Sequence, residues 1–266
     1  MVKNLIYTSI GKSIFDHSTF VSETTNLYRF ISLESLLKIL SGKTIRFSNP
    51  TEWDDPFEKH FLNAEFKIGK KNYTLPLRDR AYCLCFTGTY SSEAYWYTYI
   101  RNNDGVRISV QSEALIKYLQ DQLLNNRAIE TIYIGKVKYE FQKNIDAHKK
   151  ELGLLPGFKD SILNNEIIEE QVKLLLFKRN AFAYENERRI IIVKKSDVMT
   201  RKSFIDLKID PLELFQNTTI VLDHRLGSFT ADHFITFLKK YFGTSTIRIV
   251  KSGLTDKKYS STTIVL

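Results

Sequence analysis

The sequence predicts an α+β domain built round a central sheet of mixed, mostly antiparallel strands. Three observations carry that prediction. Apolar runs of strand length are interleaved with stretches of helical period, the interleaving lacks regular βαβ spacing, and no Gly-rich turn joins a strand to a helix. Hydrophobic residues at 43% and charged residues at 26% exclude disorder as the main state. A chain of 266 residues buries roughly 70–75% of the surface its unfolded form exposes, so one large domain needs no disulfide or metal staple.

The elements follow in order. Residues 1–25 are weakly patterned and read as an irregular arm, with a single domain over 26–266. Asn26–Phe30 reads as a short strand. It runs into a helix near Ser32 with Leu33, Leu36, Leu37 and Leu40 on one face and Gly42 as the stop. Lys43–Phe47 is a second strand, and the proline- and acid-rich stretch from Ser48 to Phe57 an ordered loop. Ala81–Thr87 and Val106–Val110 read as buried strands. Ser112 to about Asn125 is a helix presenting Leu115, Ile116, Leu119 and Leu123, and Ile132–Tyr139 a strand. Residues 141–180 form a helical insertion, in which Asp160 is expected to cap a helix carrying Ile162, Ile167, Ile168, Val172, Leu175 and Leu176. Glu187–Val193 is a strong strand. Shorter strands are expected near 203–208, 218–222, 246–250 and 262–266, with a helix from Thr230 to Phe242.

Charge and cysteine content bound the function. Net charge is +9, which favours an anionic partner such as nucleic acid, a phosphorylated cofactor or an acidic protein, and equally describes a basic surface that keeps the chain soluble. Cys83 and Cys85 sit two apart in a strand, point to one face and cannot bridge, so they read as buried thiols of a reducing compartment. The start of the chain lacks a signal-peptide apolar run, and no stretch has membrane-span length, so a cytoplasmic location is expected. The five histidines are scattered, and no metal site is expected.

Four stretches resemble, in order, a bacterial family known as domain of unknown function 2971. They are Tyr28-Arg-Phe30, Asp55-Pro-Phe-Glu58, Cys85-Phe-Thr87 with Trp96 and Tyr99 beyond, and Tyr184-Glu-Asn-Glu-Arg-Arg-Ile190. Trp53-Asp54 stands where that family has Phe-Asn, and Thr87 where it has Ser. The same stretches are similar to ADP-ribosyltransferases of the arginine–serine–glutamate type. There an Arg on the first strand, a Ser/Thr-rich strand end and a Glu-x-Glu entering a late strand surround NAD. Arg29, Thr87, Thr89, Glu185 and Glu187 match that order, with Thr87-Gly-Thr89 an imperfect counterpart of Ser-Thr-Ser.

The resemblance implies an ADP-ribosyltransferase-like fold and these roles. Breaking the nicotinamide–ribose bond builds positive charge on the ribose, which the Glu187 carboxylate would stabilise. Glu185, two residues back along an extended chain, would orient or deprotonate the acceptor. Arg29 would hold the NAD pyrophosphate and Thr87 would brace the strand or bond the nicotinamide amide. Trp96 and Tyr99, with Tyr95, offer rings for stacking. Lys178, Arg179, Arg188 and Arg189 flank the glutamates as a basic rim suited to nucleic acid, with RNA or DNA favoured over protein. Such an enzyme would endanger its own cell, which points to a toxin or phage-defence effector restrained by an acidic inhibitor.

Blander readings stand beside these. Glu185, Glu187 and Arg189 alternate along a strand, so a plain ion-pair ladder also accounts for them. Trp96 and its tyrosines serve as core filler more often than as a ligand platform. One rival function is a non-enzymatic module binding nucleic acid or a nucleotide. Another is a metal-dependent nuclease using Asp54, Asp55, Glu58 and the Glu pair, which lacks a His or Lys placed to complete it.

Overall fold

The computed structural model describes residues 5–8, 26–90, 92–152, 154–196, 201–243 and 246–254. Strands and helices mix as the sequence predicts, in an α+β arrangement of two compact units. Unit 1 comprises Met1–Thr25, Ile45–Gly88 and Ser112–Leu207; unit 2 comprises Asn26–Thr44, Thr89–Gln111 and Lys208–Leu266.

Along the chain, strand β1 (Leu5–Thr8) falls within the stretch expected to be irregular. The rest of that stretch lies outside the described residues. Strand β2 (Asn26–Ser32) leads into helix α1 (Leu33–Gly42), where Ser32 Oγ accepts from Ser35 N at 3.1 Å as the N-cap. The buried face of α1 is Leu36, Ile39 and Leu40; Leu37 is exposed, and Lys43 takes the left-handed turn that ends the helix. Next come β3 (Thr44–Ser48), a hairpin of β4 (Phe66–Ile68) and β5 (Lys71–Tyr73), β6 (Ala81–Thr87), α2 (Glu93–Tyr99) and β7 (Gly105–Gln111). They are followed by α3 (Ser112–Asn125), β8 (Ile129–Lys136) and β9 (Lys138–Glu140).

The expected helical insertion holds three helices, α4 (Gln142–Leu152), α5 (Phe158–Leu163) and α6 (Glu169–Lys173). Asp160 lies inside the first turn of α5 and does not cap it; the cap position is Gly157. Asn165 in the left-handed region (φ 56) breaks the helix that Ile162–Leu176 would otherwise form. Val172, Leu174, Leu175 and Leu176 are nonetheless buried together, so the apolar period had found the core face without finding the break. The insertion ends in strand β10 (Phe177–Arg179). A six-residue 3-10 segment, Asn180–Glu185, leads to β11 (Glu187–Lys194). The chain closes with β12 (Phe204–Lys208), β13 (Thr219–Leu222), α7 (Ser228–Phe242) and β14 (Arg248–Lys251). The strand expected near 262–266 lies outside the described residues.

In unit 1 the strands run β1-β8-β11-β6, with β3 on β6 and β12 on β3. β11 is antiparallel to both β8 and β6, and β1 is parallel to β8. All eight residues of β11 are buried. On one face Cys83, Tyr133, Ile191 and Val193 pack with Phe158, Ile162, Val172 and Leu174–Leu176 of the insertion. In unit 2 the order is β2-β7-β13-β14, antiparallel except for the parallel β13–β14 pair. Leu27, Ile108 and Val110 share one face and are fully buried. On the other face Phe30 stacks on Tyr95 at 5.1 Å and meets Trp96 edge-on at 4.8 Å. Gly105 in β7 has no room for a side chain, since a Cβ there would lie 2.5 Å from Ile100 Cγ1. Among the described residues no helix is long and apolar enough to cross a membrane.

Candidate active site

The end of β6 and the start of β11 lie side by side. In their register Glu187 opposes Thr87, Arg189 opposes Cys85, and Ile191 opposes Cys83. Strand alternation puts these six residues on one face of the unit 1 sheet. Toward Ile191 that face is apolar. Toward Glu187 it becomes ionic.

Arg189, only 1% exposed, organises the ionic end. Its Nε donates to Glu187 Oε1 at 2.9 Å, and its Nη2 to Glu187 Oε2 at 3.0 Å and to Glu58 Oε1 at 2.6 Å. Its Nη1 donates to the Leu175 carbonyl, and the Trp53 ring lies against the guanidinium, 4.5 Å to the centroid. Lys178 of β10 enters from the other side. Its Nζ lies 2.6 Å from Glu185 Oε2, 3.4 Å from Glu187 Oε2 and 3.5 Å from Glu58 Oε1. Three carboxylates therefore share two cations, leaving one formal negative charge in excess inside a water-poor pocket of side chains.

The environment sets the protonation states. Burial pushes the Glu187 carboxyl up, but Arg189 and Lys178 outweigh it and hold the group below its ordinary value. Burial disfavours charge on Lys178, and the Glu187 and Glu58 carboxylates reverse this, so the ammonium is held above its ordinary value. Burial, then Glu187, drives the Cys85 thiol well up, and the thiol hydrogen-bonds the Glu187 carboxylate. Cys85 is a proton donor here, not a nucleophile.

The path between the two glutamates differs from the extended run expected. Glu185 closes the 3-10 segment, and Asn186 takes a left-handed conformation, φ 41 and ψ 48. Its Oδ1 accepts from Arg188 Nη1 at 2.9 Å, and its carbonyl accepts from Gly88 N at 3.0 Å. The two carboxylates are thus brought together by the shared Lys178 ammonium and not by alternation. Thr87 Oγ1 donates to the Glu185 carbonyl at 2.7 Å, the bracing role, and Glu187 N donates to Tyr139 Oη at 2.8 Å.

The basic rim takes a different form from the one expected. Lys178, Arg188 and Arg189 are 7%, 2% and 1% exposed, because both faces of β11 are covered. Only Arg179 reaches solvent, and it pairs with Asp55 Oδ2 at 3.1 Å. Asp55 also accepts from Phe57 N at 2.9 Å, which makes an Asx turn.

Arg29, Thr89, Trp96 and Tyr99 belong to unit 2. Arg29 pairs with Ile108 and so points to the face opposite Phe30, on which Tyr95 and Trp96 pack. The structure thus separates Arg29 from the Trp96 ring by the thickness of the sheet. Trp96, 2% exposed, is core; Tyr99 is exposed and stacks on Tyr95 at 5.9 Å.

Sequence reasoning missed the ionic role of Glu58 and the internal role of Lys178. It also missed Arg107, 4% exposed, whose guanidinium lies 4.2 Å from the Tyr90 ring centroid and 5.2 Å from that of Tyr28. Its Nη1 donates to the Tyr90 carbonyl, while Nε and Nη2 have no hydrogen-bond partner among the described residues. Alternation in Val106-Arg-Ile-Ser-Val110 sets Arg107 with Ser109 on the face opposite the apolar residues, so nothing in the strand itself announces its burial. For the nuclease reading, the ammonium of Lys178 occupies the position among Glu58, Glu185 and Glu187 that a divalent cation would need. Among the described residues no group of three His, Cys, Asp or Glu is arranged to hold a metal.

Comparison with known proteins adds the following. The model of the family described as "Protein of unknown function (DUF2971)" matches residues 95–190, a span that holds Trp96, Tyr99 and the Tyr184–Ile190 stretch. No curated protein sequence matches the chain. Among solved structures, Thermus sp. 2.9 DarT in complex with NAD+ is similar at 11% identity and a TM-score of 0.36, over 86% of this chain and 96% of that one. Thermus sp. 2.9 DarT in complex with ADP-ribosylated ssDNA is similar at 11% identity and a TM-score of 0.37, over 86% and 95%. At these values the likeness is remote in both sequence and backbone path.

Proposed function

We propose that this chain is an NAD-using ADP-ribosyltransferase that modifies a nucleic acid, with Glu187 as its central carboxylate. One observation carries the reading: the buried cluster at the start of β11 holds three carboxylates against two cations. An excess negative charge fixed in low dielectric complements a cation that forms during reaction, and it needs no reorganisation when the cation appears. Departure of nicotinamide from NAD creates such a cation on the ribose. The N-glycosidic bond breaks, nicotinamide leaves as a neutral base, and an acceptor nitrogen or oxygen bonds to the anomeric carbon while losing its proton.

In this scheme Glu187, held ionised by Arg189 and Lys178, faces the ribose. Glu185 takes the acceptor proton and passes it to solvent. Thr87, bonded to the Glu185 carbonyl, fixes the segment carrying both glutamates. A restraining acidic inhibitor and a toxin or defence role belong to the same proposal.

A specific observation favours a second reading. Both oxygens of Glu187 already accept from Arg189, as a purely structural ion-pair cluster would require. One experiment separates the two. The chain is incubated with labelled NAD and, in turn, DNA, RNA and total protein, alongside the Glu187→Gln variant. Transfer to nucleic acid that falls about a thousandfold in the variant, with the melting temperature kept, supports catalysis. No transfer from the unsubstituted chain, with a large loss of stability in the variant, leaves the structural reading.

A further inference from the structure

Unit 1 carries a second concentration of charge that the glutamate cluster does not use. At the far end of β11, about 23 Å from Glu187 at ~3.3 Å per residue, lies a cavity of about 690 Å³ lined by the end of β11, the segment after α3, and β12. That volume falls within the roughly 300–1,000 Å³ of small-molecule pockets. Its wall carries Lys194, Arg201 and Lys202, with Ile129 and Leu207 as apolar lining and the ring of Phe204.

The charge is lopsided. Among the described residues three cations line the cavity against one acid, Asp206, and Arg46 grips that acid through two hydrogen bonds of 2.9 Å. Arg201 is tied to Glu52 at 3.0 Å. Lys194 is 8% exposed; burial and then the charge of Lys202 pull its ammonium below the ordinary value. Two lysines that repel one another in a partly dry wall are stabilised by an anion placed between them. Phe204, 40% exposed, supplies a flat apolar surface, with the Arg46 guanidinium 3.4 Å from its ring centroid. Cations beside an aromatic ring are the combination that holds a phosphate and the heterocycle attached to it.

We propose that this cavity binds a nucleoside phosphate, with the phosphates between Lys194 and Lys202 and the base against Phe204. The inference stands apart from the reading of the glutamate cluster, and so does its test. The full chain is titrated calorimetrically with ATP and, separately, with inorganic pyrophosphate. ATP is expected to bind saturably at one site. Lys202→Glu should weaken it about tenfold or more. Phe204→Ala should weaken ATP but leave pyrophosphate unchanged. Lys202 and Phe204 are exposed, so both variants should melt as the unsubstituted chain does. The proposal fails if ATP does not saturate or if pyrophosphate binds as tightly as ATP. It also fails if Lys239→Glu, on exposed α7, weakens ATP as much as Lys202→Glu, which would mark a net-charge effect.

Discussion

Replacing Lys178 with methionine tests the charge ledger of the glutamate cluster. The lysine side chain is 9% exposed and its Nζ lies 2.6, 3.4 and 3.5 Å from three carboxylates. Methionine keeps a flexible unbranched chain of comparable length, so the perturbation is mainly loss of charge. Removing one partner of a buried ion pair costs about 3–5 kcal/mol, because the other charge stays buried. Arg189 still holds Glu187 and Glu58, so the loss falls chiefly on Glu185, and the lower end, about 3 kcal/mol at neutral pH, is expected. At about 2–4 °C per kcal/mol for a chain near this size, melting should fall by roughly 6–12 °C.

The pH dependence gives the sharper readout. In the unsubstituted chain Glu187 is held below its ordinary value. Its contribution is therefore present above the unfolded carboxylate pKa and is lost as pH falls through the folded one. Without Lys178, burial is opposed by Arg189 with no second cation, and the carboxyls rise. Taking up one proton then restores the balance that the ammonium had supplied. The deficit of Lys178→Met should be largest near about pH 8 and shrink toward about pH 5, as read by urea unfolding at both. A deficit that is the same at both pH values, or below the ~1 kcal/mol of a surface pair, would refute the reasoning.

Three further outcomes are expected. Asn186→Ala should cost about 1–2 kcal/mol in urea unfolding, since it places a Cβ residue with no local side-chain bond at φ 41; Asn186→Gly, which tolerates that backbone, should cost less. Gly105→Ala should cost about 1–3 kcal/mol by driving a methyl into Ile100, and most of that cost should vanish in an Ile100→Ala background, as a double-mutant cycle would show. Cys83 and Cys85, whose thiols burial pushes up, should resist iodoacetamide near neutral pH in the folded chain and react fully in denaturant, measured by mass spectrometry.

The sequence was most legible where one period ran uninterrupted. Ala81–Thr87 and Ser112–Asn125 are elements with the bounds expected from their apolar patterns. The insertion was less legible because its break depends on one residue, Asn165, adopting a conformation that no apolar period announces. The cluster was half legible. The pattern singles out Glu185, Glu187 and Thr87 and offers Arg189 as an ion-pair partner of Glu187, but it reads Lys178 only as part of a solvated rim, as its charge normally implies. What overrides that rule is distant in sequence: Glu58 lies over a hundred positions earlier and is 2.6 Å from Arg189. The hairpin at Phe66–Tyr73 went unread because each arm has three residues and neither arm alternates cleanly.

Strand β11 carries charge at both ends, the glutamate cluster on one face at Glu187 with Arg188 on the other, and a basic group near Lys194, with Ile190–Val193 fully apolar between them. The two poles stand about 23 Å apart along the strand. The Debye length is about 8 Å at physiological salt and about 30 Å at 0.01 M. Those lengths apply to the path through solvent; the path through the buried Ile190–Val193 stretch is screened much less. Raising the salt should therefore weaken, without abolishing, any influence that a charge bound at one end of the strand has on the other.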